Sequence, residues 1–225
     1  MLKINNGKDT LNFILNRYNA RGQKNPIELH CSRLISFPRL FKELGFAAGA
    51  EIGVARGYFA RRLCQRVPNL KMYAVDAWAP WNKATSGDAQ RLEGLYRGAK
   101  ERLGPYNCEI IRDWSMKAIS QFANESLDFV YIDAGHDYKS AIDDIRGWSK
   151  KVKKGGIVAG HDYLEPEAFT FGNFNHDNYD VKKAVDDFVK ENNIFPLFVF
   201  TKDIPSNKPG DEKLGIAPSW FYVKS

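Results

Sequence analysis

AEIGVARGYFARRLCQRV, residues 50–67, carries the reading that decides the fold. The run at 50–54 is apolar and strand-length, Gly53 and Gly57 punctuate a turn, and YFARRLCQRV repeats its apolar residues at helical spacing. Working outward, the pattern recurs. Strands are predicted at MYAVD (72–76), CEII (108–111), LDFVYID (127–133) and IVAG (157–160). Helices are predicted near 86–103, 115–123, 138–148 and 181–192. Two more helices precede the first strand, one after Asp9 and one over about 34–44. PLFVFT and SWFYVK close the sequence as two strands with no helix between them, joined by a loop at 203–218. Short, near-continuously apolar strands alternating with helices imply a parallel sheet covered on both sides. The expected class is α/β: a Rossmann-like, doubly wound, seven-stranded sheet, mostly parallel, its last strand antiparallel, with helices on both faces. The expected organisation is one domain over 1–225, with a helical cap at 1–45 and the core at 46–225.

Composition is consistent with this. With 225 residues, 44% hydrophobic, 13% aromatic and 27% charged, the chain can bury a substantial core, which excludes global disorder. No apolar run approaches the ~18 residues of a membrane helix, and MLKINNGKDT has no apolar segment behind Lys3. The expectation is a cytoplasmic protein without membrane contact. Cys31, Cys64 and Cys108 are widely spaced and odd in number, with no CxxC, which argues against a disulfide framework or a zinc ribbon. The net charge of +6 is uneven, because residues 1–72 hold 13 Lys and Arg against 4 Asp and Glu. Such a bias fits either a solvated face or a phosphate-bearing partner.

Parallel sheets bind ligands at the carboxyl ends of their strands, and the unusual residues stand there. Gly53 and Gly57 permit close backbone approach at a strand-to-helix turn. Their spacing, with Arg56 between them, departs from the GxGxxG of a nicotinamide site. Asp76 ends the second core strand, where a carboxylate can accept from a ribose diol. RDWSM (112–116) offers Asp113 to an amino group, Trp114 as a stacking face and Ser115 as a helix cap. DAGHDY (133–138) and GHDY (160–163) bring Asp133, His136, Asp137, His161 and Asp162 together. So many ionisable groups in one place ask for a cation or a proton-transfer task. The stretch 164–180, with Phe169, Phe171, Phe174, His176 and Tyr179, is long and aromatic enough to serve as a lid. Trp78 and Trp81 would add stacking surfaces.

In order, EIGV, VDAW, VYIDAGHDY and KKGGIVAGHDY resemble the class I S-adenosylmethionine (SAM)-dependent methyltransferases over about residues 46–200. The resemblance is to the methyltransferase domain 24 type, which includes small-molecule and macrolide-sugar O-methyltransferases. It implies that Glu51, Gly53 and Gly57 bind the methionine side of SAM, Asp76 and Ala77 the ribose side, and Asp113, Trp114 and Ser115 the adenine, with Asp133 also at the cofactor. It implies Asp133, His161 and Asp162 as ligands of Mg²⁺ or Mn²⁺, and His136, with Asp133, as the catalytic pair. His161 departs from the Asp and Asn pair of the catechol-type enzymes. The implied reaction is O-methylation of a small-molecule hydroxyl, on a sugar or phenol, and a homo-oligomer is compatible with it.

Other readings stay open at this stage. His136, His161 and one Asp could form a two-His, one-carboxylate iron site of a hydroxylase. RNA ribose methylation would use the basic N-terminal third, although DAGH replaces the Pro-containing segment of base-amino methyltransferases. A non-catalytic binding module on the same fold is the third.

Overall fold

The computed structural model describes residues 7–80, 89–165, 179–202 and 217–225. The elements are α1 (Gly7–Arg17), β1 (Ile27–Leu29), α2 (Arg33–Leu44), β2 (Ala48–Ile52), α3 (Tyr58–Arg66), β3 (Lys71–Asp76), α4 (Ala89–Leu103) and β4 (Cys108–Arg112). They continue with α5 (Ser115–Ala118) running into a 3₁₀ turn at Ile119–Gln121, then β5 (Leu127–Ile132), α6 (Tyr138–Ser149), β6 (Val152–Gly160), α7 (Val181–Glu191), β7 (Phe198–Phe200) and β8 (Ser219–Val223).

One sheet orders them β1-β7-β8-β6-β5-β2-β3-β4. Every pairing is parallel except those of β8, which runs antiparallel to both β6 and β7. The expected α/β sheet with an antiparallel last strand is present, but it has eight strands, not seven. The additional one is β1, inside the stretch read as a helical cap. Three residues cannot display a period, and β1 is defined instead by pairing with β7, Ile27 against Phe198.

The central strands are buried on both faces because their alternate side chains feed two cores, whereas the edge strands β1 and β4 expose Glu28, Glu109 and Arg112. Phe129, Tyr131, Phe200 and Phe221 face α1 to α4, where they meet Ile14, Phe37, Phe41, Phe59 and Leu63. Val130, Ile132, Val158 and Trp220 face α5 to α7, meeting Ile142, Ile145, Trp148 and Val185. The Phe41 and Phe129 rings stack at 4.0 Å.

Helix α2 is bounded by Ser32, whose side chain accepts from the Leu34 amide, and by Gly45 at φ 71°. Pro38 lies inside it, and having no N–H it cannot bond the carbonyl four residues back, that of Leu34. Arg62 of α3 donates its Nε to that carbonyl at 2.6 Å. The helix is thus tolerated with its proline because the neighbouring helix supplies the missing donor.

The chain runs from β2 outward to β3 and β4, then crosses back to β5 on the other side of β2. That reversal leaves a crevice beyond the carboxyl ends of β2 and β5, the place where such sheets take ligands.

Candidate functional site

Gly53 follows β2 at φ +87°, and Gly57 caps α3 at φ +73°. A Cβ on Gly53 would lie 1.9 Å from the Asp133 carbonyl oxygen. The two strand ends therefore touch, and only glycine permits it. Ala55, Trp78 and Asp162, just past β2, β3 and β6, also hold positive φ, so backbone strain gathers around the crevice.

Asp76 is tied into the glycine turn. Its Oδ2 accepts from the Val54 and Ala55 amides at 2.9 and 2.8 Å, and its Oδ1 from the Trp78 amide at 2.8 Å. An ionised carboxylate has about four acceptor positions, so these bonds leave room for roughly one more. Ala77, between Asp76 and the strained Trp78, is half-buried at the same strand end. Trp78 does not offer the stacking surface expected of it. It is 2% exposed, its Nε1 donates to the Ala55 carbonyl at 2.8 Å, and its ring lies against Tyr96, so it braces the turn from behind.

Glu51 is buried, and its Oε2 has no hydrogen-bond partner among the described residues. Burial holds its carboxyl well above the usual range, and the Asp133 charge adds to this against the pull of Arg33. An orphaned buried acceptor beside a glycine turn that excludes a Cβ is the kind of cradle that an ammonium-bearing ligand fills.

Past β4 the expected trio divides. Trp114 is exposed and its amide donates to Asp113 Oδ1, while Lys117 pairs with Asp113 Oδ2 at 3.1 Å. Ser115 turns inward instead. Its hydroxyl donates to Asp144 Oδ1 and accepts from Trp148 Nε1 at 2.8 Å, so its side chain is engaged with α6 rather than with a ligand at the rim. Burial, opposed by the Ser115 hydroxyl, pushes the Asp144 carboxyl up to about 6. The folded chain then keeps this proton to higher pH than the unfolded chain, so the stability it lends is full below about pH 4 and is lost as pH rises through 6. Asp144→Asn should therefore gain on the unaltered chain by roughly 3 kcal/mol between pH 4 and pH 7 in paired denaturant titrations. Parallel responses of the two chains would contradict it.

Beyond β5 and β6 the doubled GHDY motifs converge. His136 Nε2 lies 3.1 Å from Asp162 Oδ2 and 4.0 Å from Asp133 Oδ1. His161 Nδ1 lies 2.8 Å from Asp162 Oδ1 and 3.9 Å from Asp133 Oδ1. Asp162 and His161 are buried, whereas Asp133 and His136 are partly open. Burial works against the Asp162 charge, but the two imidazoles outweigh it and hold its carboxyl far below the usual range. Burial likewise pushes Asp133 up, opposed mainly by His161. For His136, burial opposes the charged ring, yet the hydrogen bond to Asp162 prevails and raises its pKa. Asp137 is apart from this group, capping α6 through the Ser140 amide.

Candidate ligand atoms of Asp133, His136 and Asp162 all fall within 4.8 Å of one another. Two carboxylates and one imidazole suit Mn²⁺ or, with water, Mg²⁺. The converging imidazole is His136, where the sequence reading placed His161. His161 instead turns Nδ1 to Asp162, and its buried Nε2 has no partner among the described residues. Of the expected lid, Phe169, Phe171, Phe174 and His176 lie outside the described residues, as does Trp81. Tyr179 is described, and its ring stacks on His136 at 4.8 Å.

Sequence reasoning missed Arg33. It is 3% exposed at the start of α2, donates through Nη1 to the Tyr131 hydroxyl, and lies 3.8 Å from Asp133 Oδ2. The signal was present, since Arg33, Phe37, Leu40, Phe41 and Leu44 occupy one helical stripe, and a cation on an apolar stripe needs a buried partner.

A family model described as a methyltransferase domain matches residues 50–163. No curated protein matches the chain. Among solved structures, the chain is similar to a candidate caffeoyl-CoA O-methyltransferase of Staphylococcus aureus, at 13% identity and TM-score 0.60, covering 97% of this chain and 93% of that one. It is similar to the O-methyltransferase TomG of Streptomyces achromogenes, involved in tomaymycin synthesis and solved with SAM, at 14% identity and TM-score 0.54, covering 84% and 78%. It is also similar to an O-methyltransferase of Bacillus cereus solved with SAH, at 14% identity and TM-score 0.52, covering 100% and 93%. These likenesses establish the shared fold.

Proposed function

We propose, from the premise that this chain belongs to the methyltransferase domain family, that it transfers a methyl group from SAM to a hydroxyl of a small molecule. The observation that carries this reading is the meeting of two half-sites at one crevice. The Gly53 turn with Glu51 and Asp76 stands on one side and the Asp133, His136 and Asp162 cluster on the other, joined where Gly53 abuts Asp133. The SAM and SAH complexes of two structural neighbours support the choice of donor. Among the described residues no helix is long and apolar enough to cross a membrane.

When bound, SAM supplies an electrophilic methyl carbon. Glu51, with its orphaned oxygen, would accept from the donor's ammonium, Gly53 and Gly57 would let its backbone neighbours close in, and Asp76 would accept from the ribose. Trp114, exposed past β4, would cover the adenine, with Asp113 beside it. His136 would take the acceptor hydroxyl's proton, its ring held by Asp162 and Tyr179. A hydroxyl on a sugar or a phenol fits this chemistry.

The cluster also supports a divalent cation. Asp133 and Asp162 would hold it beside His136, which is left to take the proton, and its charge would lower the hydroxyl's pKa. Exhaustive chelation tests the cation apart from the base. Activity lost with chelator and regained with Mg²⁺ or Mn²⁺ is the expected result, and undiminished activity would leave His136 and Asp162 working alone.

The donor is tested by calorimetry with SAM and NADH. SAM alone should bind, and Asp76→Ala should weaken it by about 1–3 kcal/mol, the loss of charge-assisted hydrogen bonds. Tight NADH binding, or Fe²⁺-dependent oxygen uptake in place of methyl transfer, would reject the reading.

A further inference from the structure

Arg33 lies outside the family-matched residues 50–163, yet its guanidinium reaches the centre of the site. Ser32 caps the first turn of α2 and fixes where the side chain starts. The guanidinium packs over the Phe59 and Tyr131 rings at 5.5 and 5.7 Å, which are cation–π distances. Its Nη1 donates to the Tyr131 hydroxyl, which is in turn 3.0 Å from Ser219 Oγ of β8. The cation is thus anchored to β5 and β8, and the same Nη1 stands 3.8 Å from Asp133 Oδ2, an ion pair without a direct hydrogen bond.

The two oxygens of Asp133 are not equivalent. Oδ2 is the one toward Arg33, at 3.8 Å, while Oδ1 is the one toward His136 and His161, at 4.0 and 3.9 Å. Arginine keeps its charge at any working pH, and a guanidinium anchored by Tyr131 and its flanking rings fixes that charge beside one carboxylate oxygen, where the mobile ammonium of a lysine would not. A buried carboxylate that lost this partner would keep its desolvation cost and turn toward whatever donor it could reach.

We propose that Arg33 is a positioning residue that pins Asp133 Oδ2 so that Oδ1 is presented to the two imidazoles. Helix α2 thereby contributes to a site whose Asp133, His136, His161 and Asp162 come from the matched domain. The inference rests on the methyl-transfer reading for its link to turnover but not for its structural signature.

The test uses the full chain with Arg33→Met, Arg33→Lys and Tyr131→Phe, the last removing the anchoring hydroxyl while keeping the ring. Imidazole nitrogen signals of His136 and His161 are recorded by NMR at constant pH without donor, and kcat is measured separately from the KM for SAM. Arg33→Met should shift both imidazole signals and lower kcat by about a hundredfold, as misplaced groups do, with KM for SAM within about twofold. Arg33→Lys should return the signals part of the way, and Tyr131→Phe should move them in the same direction by less. A folded Arg33→Met with unmoved imidazole signals would overturn the proposal. So would Met and Lys variants that lose equal kcat without those shifts, since that outcome belongs to packing alone. If Arg33→Met fails to fold, unmoved signals in Tyr131→Phe overturn it equally. Absence of SAM binding by the unaltered chain would reject the methyl-transfer reading, while the donor-free signals still decide the role of Arg33.

Discussion

His136→Ala should lower turnover by about 10²- to 10⁴-fold, the range a positioned acid–base group contributes, while SAM affinity stays within about twofold. The ring sits at the open side of the cluster, 37% exposed, with Nε2 3.1 Å from Asp162 and its face against Tyr179. Nothing in the Gly53 turn leans on it, so the donor half-site should survive its removal. Single-turnover rates and equilibrium titration with SAM provide the measurement. Matching losses in rate and affinity would remove the residue from proton transfer and make it part of the donor pocket instead.

Gly53→Ala should damage stability and chemistry together. The added carbon would stand 1.9 Å from the Asp133 carbonyl oxygen, 2.4 Å from its carbon and 2.8 Å from Ala134 Cα, all backbone atoms that no rotamer change can move. The left-handed conformation adds about 1–2 kcal/mol for a residue with a side chain, and the overlap about 1–3 kcal/mol more. The unfolding midpoint should fall by roughly 4–20 °C, and turnover should fall with it, because relieving the clash displaces the strand end that carries Asp133. A variant of unchanged midpoint and activity would show that this turn has more freedom than its geometry implies. Gly45→Ala is the control, since it shares the positive φ but has open space where the Cβ would go.

The strands that position the site were legible because burial on both faces makes them read as continuous apolar runs. MYAVD and LDFVYID announce themselves, and the motif residues fall at their ends, Asp76 as the last residue of β3 and Asp133 one step past β5. β1 was not legible, since Ile27–Leu29 is a strand only by virtue of a partner some 170 residues away. The doubled GHDY told which residues would meet but not which imidazole would face inward. That depends on Asp162 at φ 63°, which turns its carboxylate between the two rings. Trp78 and Ser115 were legible as residues of the rim but not in orientation, because each has a donor or acceptor satisfied from within: Ala55 for one, Asp144 and Trp148 for the other. Arg33 was hidden because the predicted helix began one residue later, at Leu34, leaving this cation outside the stripe it belongs to.

The placement of β8 also constrains how the protein is made. This strand follows both β6 and β7 in the chain, yet it lies between them in the sheet. Until it emerges, those two strands have nothing joining them, and β1, which among the described residues pairs with β7 alone, has no completed sheet to extend. A nascent chain therefore carries unpaired edges on β6 and β7 from their own synthesis until that of β8, an interval in which they invite wrong pairing.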